Sequence, residues 1–216
     1  MAISQNKYMT KNLLRANHLP TTNYYYWNKS NSVDKNLNAI QKTLRFPIVI
    51  KPNNLEQGTS VHVNIPDIAT AKKIVQNMLA STNDILVEEY IEGDTYRILI
   101  FNGNLISIHS TIKPTITGDG KLTINNLITR FRAKNTIKPT QIDYLYIKQQ
   151  GYDPQDILPK SKKITISNVS NGGVGSEFKQ FVNLSDVHPD NISLFYKIYK
   201  VCVLNLNGID YTTKDL

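Results

Sequence analysis

The sequence has one cysteine, Cys202, so no disulfide can form within the chain and a reducing compartment is the default expectation. Cys202 lies among Val201, Val203 and Leu204, the setting of a packed apolar thiol. No apolar run approaches the roughly 18 residues that a membrane helix needs, and the first residues, MAISQNKYMTKNLLRANHLP, lack an apolar signal-peptide core. A soluble cytoplasmic protein with no membrane partner is expected. Acidic residues are fewer than basic ones, 17 against 25, and the formal charge is +8. The densest basic groups are Lys160, Lys162, Lys163 and Arg130, Arg132, Lys134. A single aromatic, Phe131 between Arg130 and Arg132, interleaves them, short of a base-stacking platform, which argues against nucleic acid as the partner and leaves it the weakest alternative.

What is present suits an ordinary folded protein. Apolar residues make up 40% and charged residues 19% of 216 residues, enough for one domain or two small subdomains with a real core. Residues 6–18 predict a helix stopped by Pro20, and Tyr24 to Trp27 an aromatic strand. Residues 34–44 predict a helix capped by Asp34, with Leu37, Ile40 and Leu44 on one stripe. FPIVIKP at 46–52 is a short apolar run that delivers Lys51 at the end of a buried strand. A strand at 61–65 and a helix starting at Pro66 follow, the helix striped by Ile68, Ala71, Val75 and Met78. Residues 85–109 predict two strand-like runs with a hairpin turn at Asn102-Gly103-Asn104. Further helices are expected near 123–131, 140–150 (ending at Gly151) and 188–208 (ending at Gly208), with a strand in 159–173 and another begun by GIDYTTKDL. Strands and helices alternate irregularly with hairpins, so the expected class is α+β and not a doubly wound sheet.

Several segments, taken in order, resemble the ATP-grasp ligases, in the branch of cyanophycin synthetase and bifunctional glutathione synthetase. They are KYMTKNLLRANHLPT, FPIVIKP with its following glycine loop, ILVEEYIEGDTYRILI, TGDGKLTINNLI, NVSNGG with VHPDN behind it, and NGIDYTT. The resemblance implies an ATP-grasp fold, with two α+β subdomains and a nucleotide cleft between them. It divides the chain into a leading helix (1–20), a small subdomain (21–88) and a larger one (89–216) that is incomplete at its C-terminal end. It implies an ATP-dependent carboxylate–amine ligase with ATP and Mg²⁺ as cofactors and an amino acid or small peptide as substrate. A homo-oligomer is implied as well, since relatives in this branch assemble as dimers or tetramers.

Residue by residue, the resemblance assigns Lys51 to a nucleotide phosphate and Lys7 to a second nucleotide contact; the plain alternative for Lys51 is an exposed strand-end lysine. Gly58 lies in the loop that would fold over the phosphates, although Leu55 and Ser60 stand where the family has glycines. Glu88, Glu89, Tyr90 and Ile91 match the adenine-reading hinge, against a plain strand end with two exposed glutamates. The ribose-binding acid falls on Thr95, with Asp94 beside it. Arg97, Asn168 and Ser170 match groups near the phosphates, the acyl phosphate and the acceptor, with Gly172 and Gly173 permitting close approach; an unpaired surface arginine and an ordinary turn are the alternatives. Asp210 matches a metal-ligand aspartate. Asp119, in the Gly-Asp-Gly turn, is expected to be structural and to cap the helix that begins at Thr123. The chain also departs from the pattern: family arginines fall on Thr111 and Ile164, and the Glu and Asn that complete the family's metal site would lie beyond Leu216. These departures keep open a degenerate, non-catalytic nucleotide-binding or interaction module.

Overall fold

The computed structural model describes residues 6–54, 60–134, 142–167 and 179–216. The chain forms two compact units, Met1–Ser110 with Phe181–Leu216, and Thr111–Gln180. The boundary expected after residue 88 falls inside the first unit, within strand β4 (Ile85–Glu89).

The first unit contains two antiparallel sheets. One has the order β1-β4-β2-β3, with β1 (Tyr24–Tyr26), β2 (Ile48–Pro52) and β3 (His62–Ile65). Side chains alternate across a strand. Ile48 and Ile50 of β2, with Ile85 and Val87 of β4, therefore enter a core closed by helices α2 (Val33–Thr43) and α3 (Ile68–Met78). Leu37, Ile40, Ala71, Val75 and Met78 are the helical side of that core, as the apolar stripes predicted. The caps differ from expectation by a residue or two. Ser32, and not Asp34, accepts the Lys35 N–H to start α2, while Asp34 pairs with Lys72. Asp67 caps α3 by accepting from Thr70 N at 2.7 Å, and Pro66 lies just outside.

The other face of this sheet carries Tyr24, Tyr26, Val49, Lys51, Leu86 and Glu88, brought together by the β1–β4 and β2–β4 registers. Helix α1 (Lys7–Ala16), capped by Asn6, lies over it. The Tyr8 ring stacks on Tyr26 with centroids 4.4 Å apart, Tyr24 Oη donates to Asn12 Oδ1, and the Arg15 guanidinium sits 4.2 Å from the Tyr24 ring. The tyrosine run thus serves two faces, with Tyr25 and Trp27 in the α2–α3 core and Tyr24 and Tyr26 against α1.

The second sheet has the order β10-β5-β6-β9, from β5 (Asp94–Phe101), β6 (Asn104–Thr111), β9 (Lys179–Phe181) and β10 (Leu206–Thr213). Asn102 and Gly103 take φ of 46° and 79°, the two positive values of a tight hairpin turn. The run predicted as two strands is three, because Gly93 breaks it. Gly93 has φ 153°, and a Cβ there would stand 2.5 Å from the Thr213 carbonyl oxygen. Helix α6 (Pro189–Cys202) covers the core face through Phe195 and Ile198, which meet Ile98, Ile100, Ile108 and Ile209. This helix ends at Val203, with φ 50°, and not at Gly208. Gly208 instead lies inside β10 opposite Leu99, where eight residues of strand pairing with β5 override the helical pattern.

In the second unit, β7 (Thr115–Thr117) pairs with β8 (Lys163–Thr165), and α4 (Ile124–Lys134) and α5 (Tyr144–Gln149) pack beside them. Ile116, Ile124, Leu127, Ile128, Ile147 and Ile164 form the core. Asp119 is structural, as expected, but by a different contact. Its Oδ1 accepts from Lys121 N and Leu122 N to close the turn, while Thr123 itself caps α4 by accepting from Asn126 N. Gly118 has no room for a side chain: a Cβ would stand 2.1 Å from the Pro159 carbonyl oxygen. Gly151, φ 85°, follows α5 as predicted.

Candidate functional site

Glu88 is the centre of a buried polar cluster in the first unit. Its residue exposure is 8%, so the strand-end position does not leave it in solvent. Lys51 Nζ pairs with Glu88 Oε1 across the β2–β4 register. Lys11 Nζ, from α1, lies 2.6 Å from Oε2, and Thr22 Oγ1 donates to the same oxygen at 3.0 Å. Lys11 also donates to Thr21 Oγ1 and Thr22 Oγ1, so its ammonium is held from several sides. Burial alone would raise the Glu88 carboxyl, but the Lys51 and Lys11 charges outweigh it and bring it down to about 2. Burial pulls the Lys11 ammonium below its usual range, and Glu88 offsets this only in part. The other charges acting on Lys11, Lys51 and Arg15, are both positive. Two ammonium groups and one carboxylate leave the cluster one positive charge in excess.

The residues that follow Glu88 are engaged locally. Glu89 Oε1 accepts from Arg45 N at 2.9 Å and Oε2 from Asn23 Nδ2 at 3.1 Å, which ties both neighbouring strand ends to β4. Glu89 N donates to Asn23 O and Tyr90 N to Pro47 O, each at 3.0 Å. Ile91 is exposed. Lys7, the first residue of α1, donates through Nζ to the Asn53 carbonyl oxygen at 3.0 Å. Asn53 is 1% exposed and accepts the Tyr8 N–H on its side-chain oxygen at 2.8 Å. It thereby joins the start of α1 to the residue after β2.

On the second sheet, Thr95 and Arg97 of β5 share a face with Thr212 and Asp210 of β10, opposite the core. Arg97 Nη1 and Asp210 Oδ1 are 2.8 Å apart, and the Thr95 and Thr212 hydroxyls are 3.2 Å apart. Arg97 is therefore a paired surface arginine. Gly208 lies beneath it: a Cβ at Gly208 would meet Arg97 Nη2 at 2.4 Å, so the missing side chain lets the guanidinium lie flat on β10. Asp94 opens β5 opposite Thr213 and is exposed. Among the described residues no three His, Cys, Asp or Glu side chains gather into a metal cluster. Mg²⁺ takes several oxygen ligands, and Asp210 is one carboxylate already accepting from Arg97. The described residues do not by themselves make up a magnesium site.

The structure thus brings Lys51 together with Glu88, and Arg97 together with Asp210, while Lys7 is joined to Asn53. Gly58, Asn168 and Ser170, with Gly172 and Gly173, lie outside the described residues. Ile164, where the resemblance expected an arginine, is buried in the second core opposite Ile116, and Lys162 and Lys163 beside it are exposed. Lys11 and Thr22 were not singled out from sequence. The signal for Lys11 was there, since it follows Lys7 by four residues and shares its helix face.

The mixed helices and antiparallel sheets are those of an ATP-grasp ligase domain, and solved structures of that class share the fold. D-alanine–D-alanine ligase from Bacillus anthracis matches with a TM-score of 0.62 at 17% identity, covering 99% of this chain and 54% of that one. The bifunctional glutathione synthetase from Pasteurella multocida matches at 0.50 and 18%, covering 97% and 29%. The sequence pattern of the D-ala D-ala ligase C-terminus family matches residues 13–147, and the chain belongs to that family. Cyanophycin synthetase from Synechocystis sp. is 30% identical over 196 residues, 82% of this chain and 22% of that protein. The glutathione biosynthesis bifunctional protein GshAB of Streptococcus agalactiae is 30% identical over 185 residues, 78% of this chain and 24% of that protein. The chain thus spans between a fifth and a quarter of the length of these curated relatives.

Proposed function

We propose that the chain provides the nucleotide-binding part of an ATP-dependent carboxylate–amine ligase. In that reaction a carboxylate oxygen attacks the γ-phosphorus of ATP, giving an acyl phosphate and ADP. An amine then attacks the acyl carbon and releases phosphate, leaving an amide. The observation that carries the reading is the buried cluster of Lys51 and Glu88 within the matched family segment, which holds an ammonium group at the end of a buried strand with positive charge in excess. Developing phosphate charge is stabilised by such fixed cations.

In this account Lys51 meets a nucleotide phosphate, and Lys7 does so after leaving the Asn53 carbonyl. Glu89 N and Tyr90 N already donate within the chain, so the Ile91 N–H and the hinge carbonyl groups read the adenine edge, with Glu88, Glu89 and Tyr90 lining it. Asp94 and Thr95 take the ribose hydroxyls. Arg97, Asn168 and Ser170 serve the phosphoryl and acyl groups, and Gly58 the loop over the phosphates. Asp210 is one oxygen ligand for the magnesium that accompanies ATP, in a set the described residues do not complete. The substrate is an amino acid or small peptide, and the assembly a homo-oligomer.

A second reading, a nucleotide-binding module without turnover, is favoured by two observations. Asp210 is committed to Arg97, and Ile164 occupies a core position in place of a cation. Release of ADP and phosphate separates the two readings. The ligase reading expects release that depends on both ATP and one amino-acid or peptide pair from a broad panel. Nucleotide binding without release across that panel supports the second.

A further inference from the structure

We infer that Lys11 is a positioning residue that leaves Lys51 free to exchange Glu88 for a ligand phosphate; the inference rests on the nucleotide reading above. The Glu88 carboxylate divides its two oxygens. Oε1 faces Lys51 of β2, and Oε2 is taken by Lys11 of α1 and by Thr22. A carboxylate this deeply buried must keep a cation, because an unpaired buried charge is strongly disfavoured. With Lys11 and Thr22 on Oε2, Glu88 keeps one when Lys51 turns away. Without Lys11, Lys51 becomes the sole counter-ion of Glu88, and any phosphate must compete with that carboxylate for it. Lys11 cannot itself move readily, since Thr21 Oγ1 and Thr22 Oγ1 hold it at 3.1 and 2.5 Å. The two lysines are therefore unequal: one neutralises Glu88 permanently, and the other is available to the ligand.

The test is calorimetric titration of ATP, and separately of adenosine, into the wild-type chain and the variants K11M, K11R, E88Q and K11M/E88Q, with a thermal melt of each. Adenosine has no phosphate, so the ratio of the two affinities isolates the phosphate contribution. K11M is expected to lose ATP affinity by about tenfold or more, with adenosine affinity within about twofold of wild type. K11R, which keeps the charge, is expected within about threefold of wild type for ATP. With Glu88 neutral there is no carboxylate for Lys11 to satisfy, so K11M/E88Q should bind ATP as E88Q does, within about threefold. A merely structural lysine would show no such rescue. If K11M fails to fold, the comparison of K11M/E88Q with E88Q decides. Wild type that binds ATP, together with K11M binding it equally or with a double variant well below E88Q, would overturn the inference alone. Wild type that binds no ATP would overturn the nucleotide reading and this inference with it.

Discussion

Replacing Glu88 by glutamine tests the buried cluster through stability, independently of any ligand. A carboxyl held at about 2 in the fold, against an ordinary value of 4.5, stabilises the folded state once it is ionised. Each pH unit of that separation corresponds to about 1.4 kcal/mol, so the contribution is about 3 kcal/mol at neutral pH. The sign follows from the direction. The folded value lies below the unfolded one, so the stabilisation is complete above the unfolded value and is lost as pH falls toward about 2. Glutamine keeps the shape and loses the charge, leaving the half-buried Lys11 and Lys51 without a counter-ion. Urea unfolding of wild type and E88Q at pH 7, 4.5 and 3 should give a difference of about 3 kcal/mol at pH 7 that shrinks to about 1 kcal/mol at pH 3. A difference below about 0.5 kcal/mol at pH 7, or one that does not change with pH, would refute the cluster as described.

Three further substitutions follow from backbone geometry. Gly93→Ala must push the chain away from Thr213, since its Cβ would stand 2.5 Å from a carbonyl oxygen at φ 153°; a loss of more than about 2 kcal/mol in urea unfolding is expected. Val203→Gly should raise stability by about 1 kcal/mol, because a β-branched residue that is 84% exposed holds a left-handed conformation with little packing to lose. Gly208→Ala should cost less than about 1 kcal/mol, because the atoms nearest its Cβ are the flexible end of Arg97. It should nevertheless part Arg97 from Asp210, seen as a shifted Arg97 side-chain N–H resonance, and an unshifted resonance would contradict the seating of that guanidinium.

The parts of the fold that sequence reading recovered are those set by local pattern. The stripes of α2 and α3, the apolar run of β2 and the Asn102-Gly103 hairpin each follow from residues a few positions apart. The misplaced features depend on distant partners. Gly208 looked like a helix end, but strand pairing with Leu99, far away in sequence, puts it inside β10. The plain alternative for Glu88 was an exposed strand end, yet α1 covers the second face of its sheet, and nothing near Glu88 announces that. The pairing of Arg97 was not legible, and an unpaired surface arginine stood as its alternative, because Asp210 lies 113 residues on. Caps were misread by small margins at Ser32 and Asp67, where several side chains of capping type compete within three residues. The candidate site was legible mainly through resemblance. Lys51 and Glu88 were found that way, whereas Lys11 required the docking of α1.

The most direct test of the central claim is calorimetric titration of Mg·ATP into the 216-residue chain and into Lys51→Ala. The account predicts binding near the micromolar range, about −8 kcal/mol, in wild type. It predicts a large loss in Lys51→Ala, with the variant still folded by circular dichroism. No binding by the wild-type chain, or undiminished binding without Lys51, would contradict it.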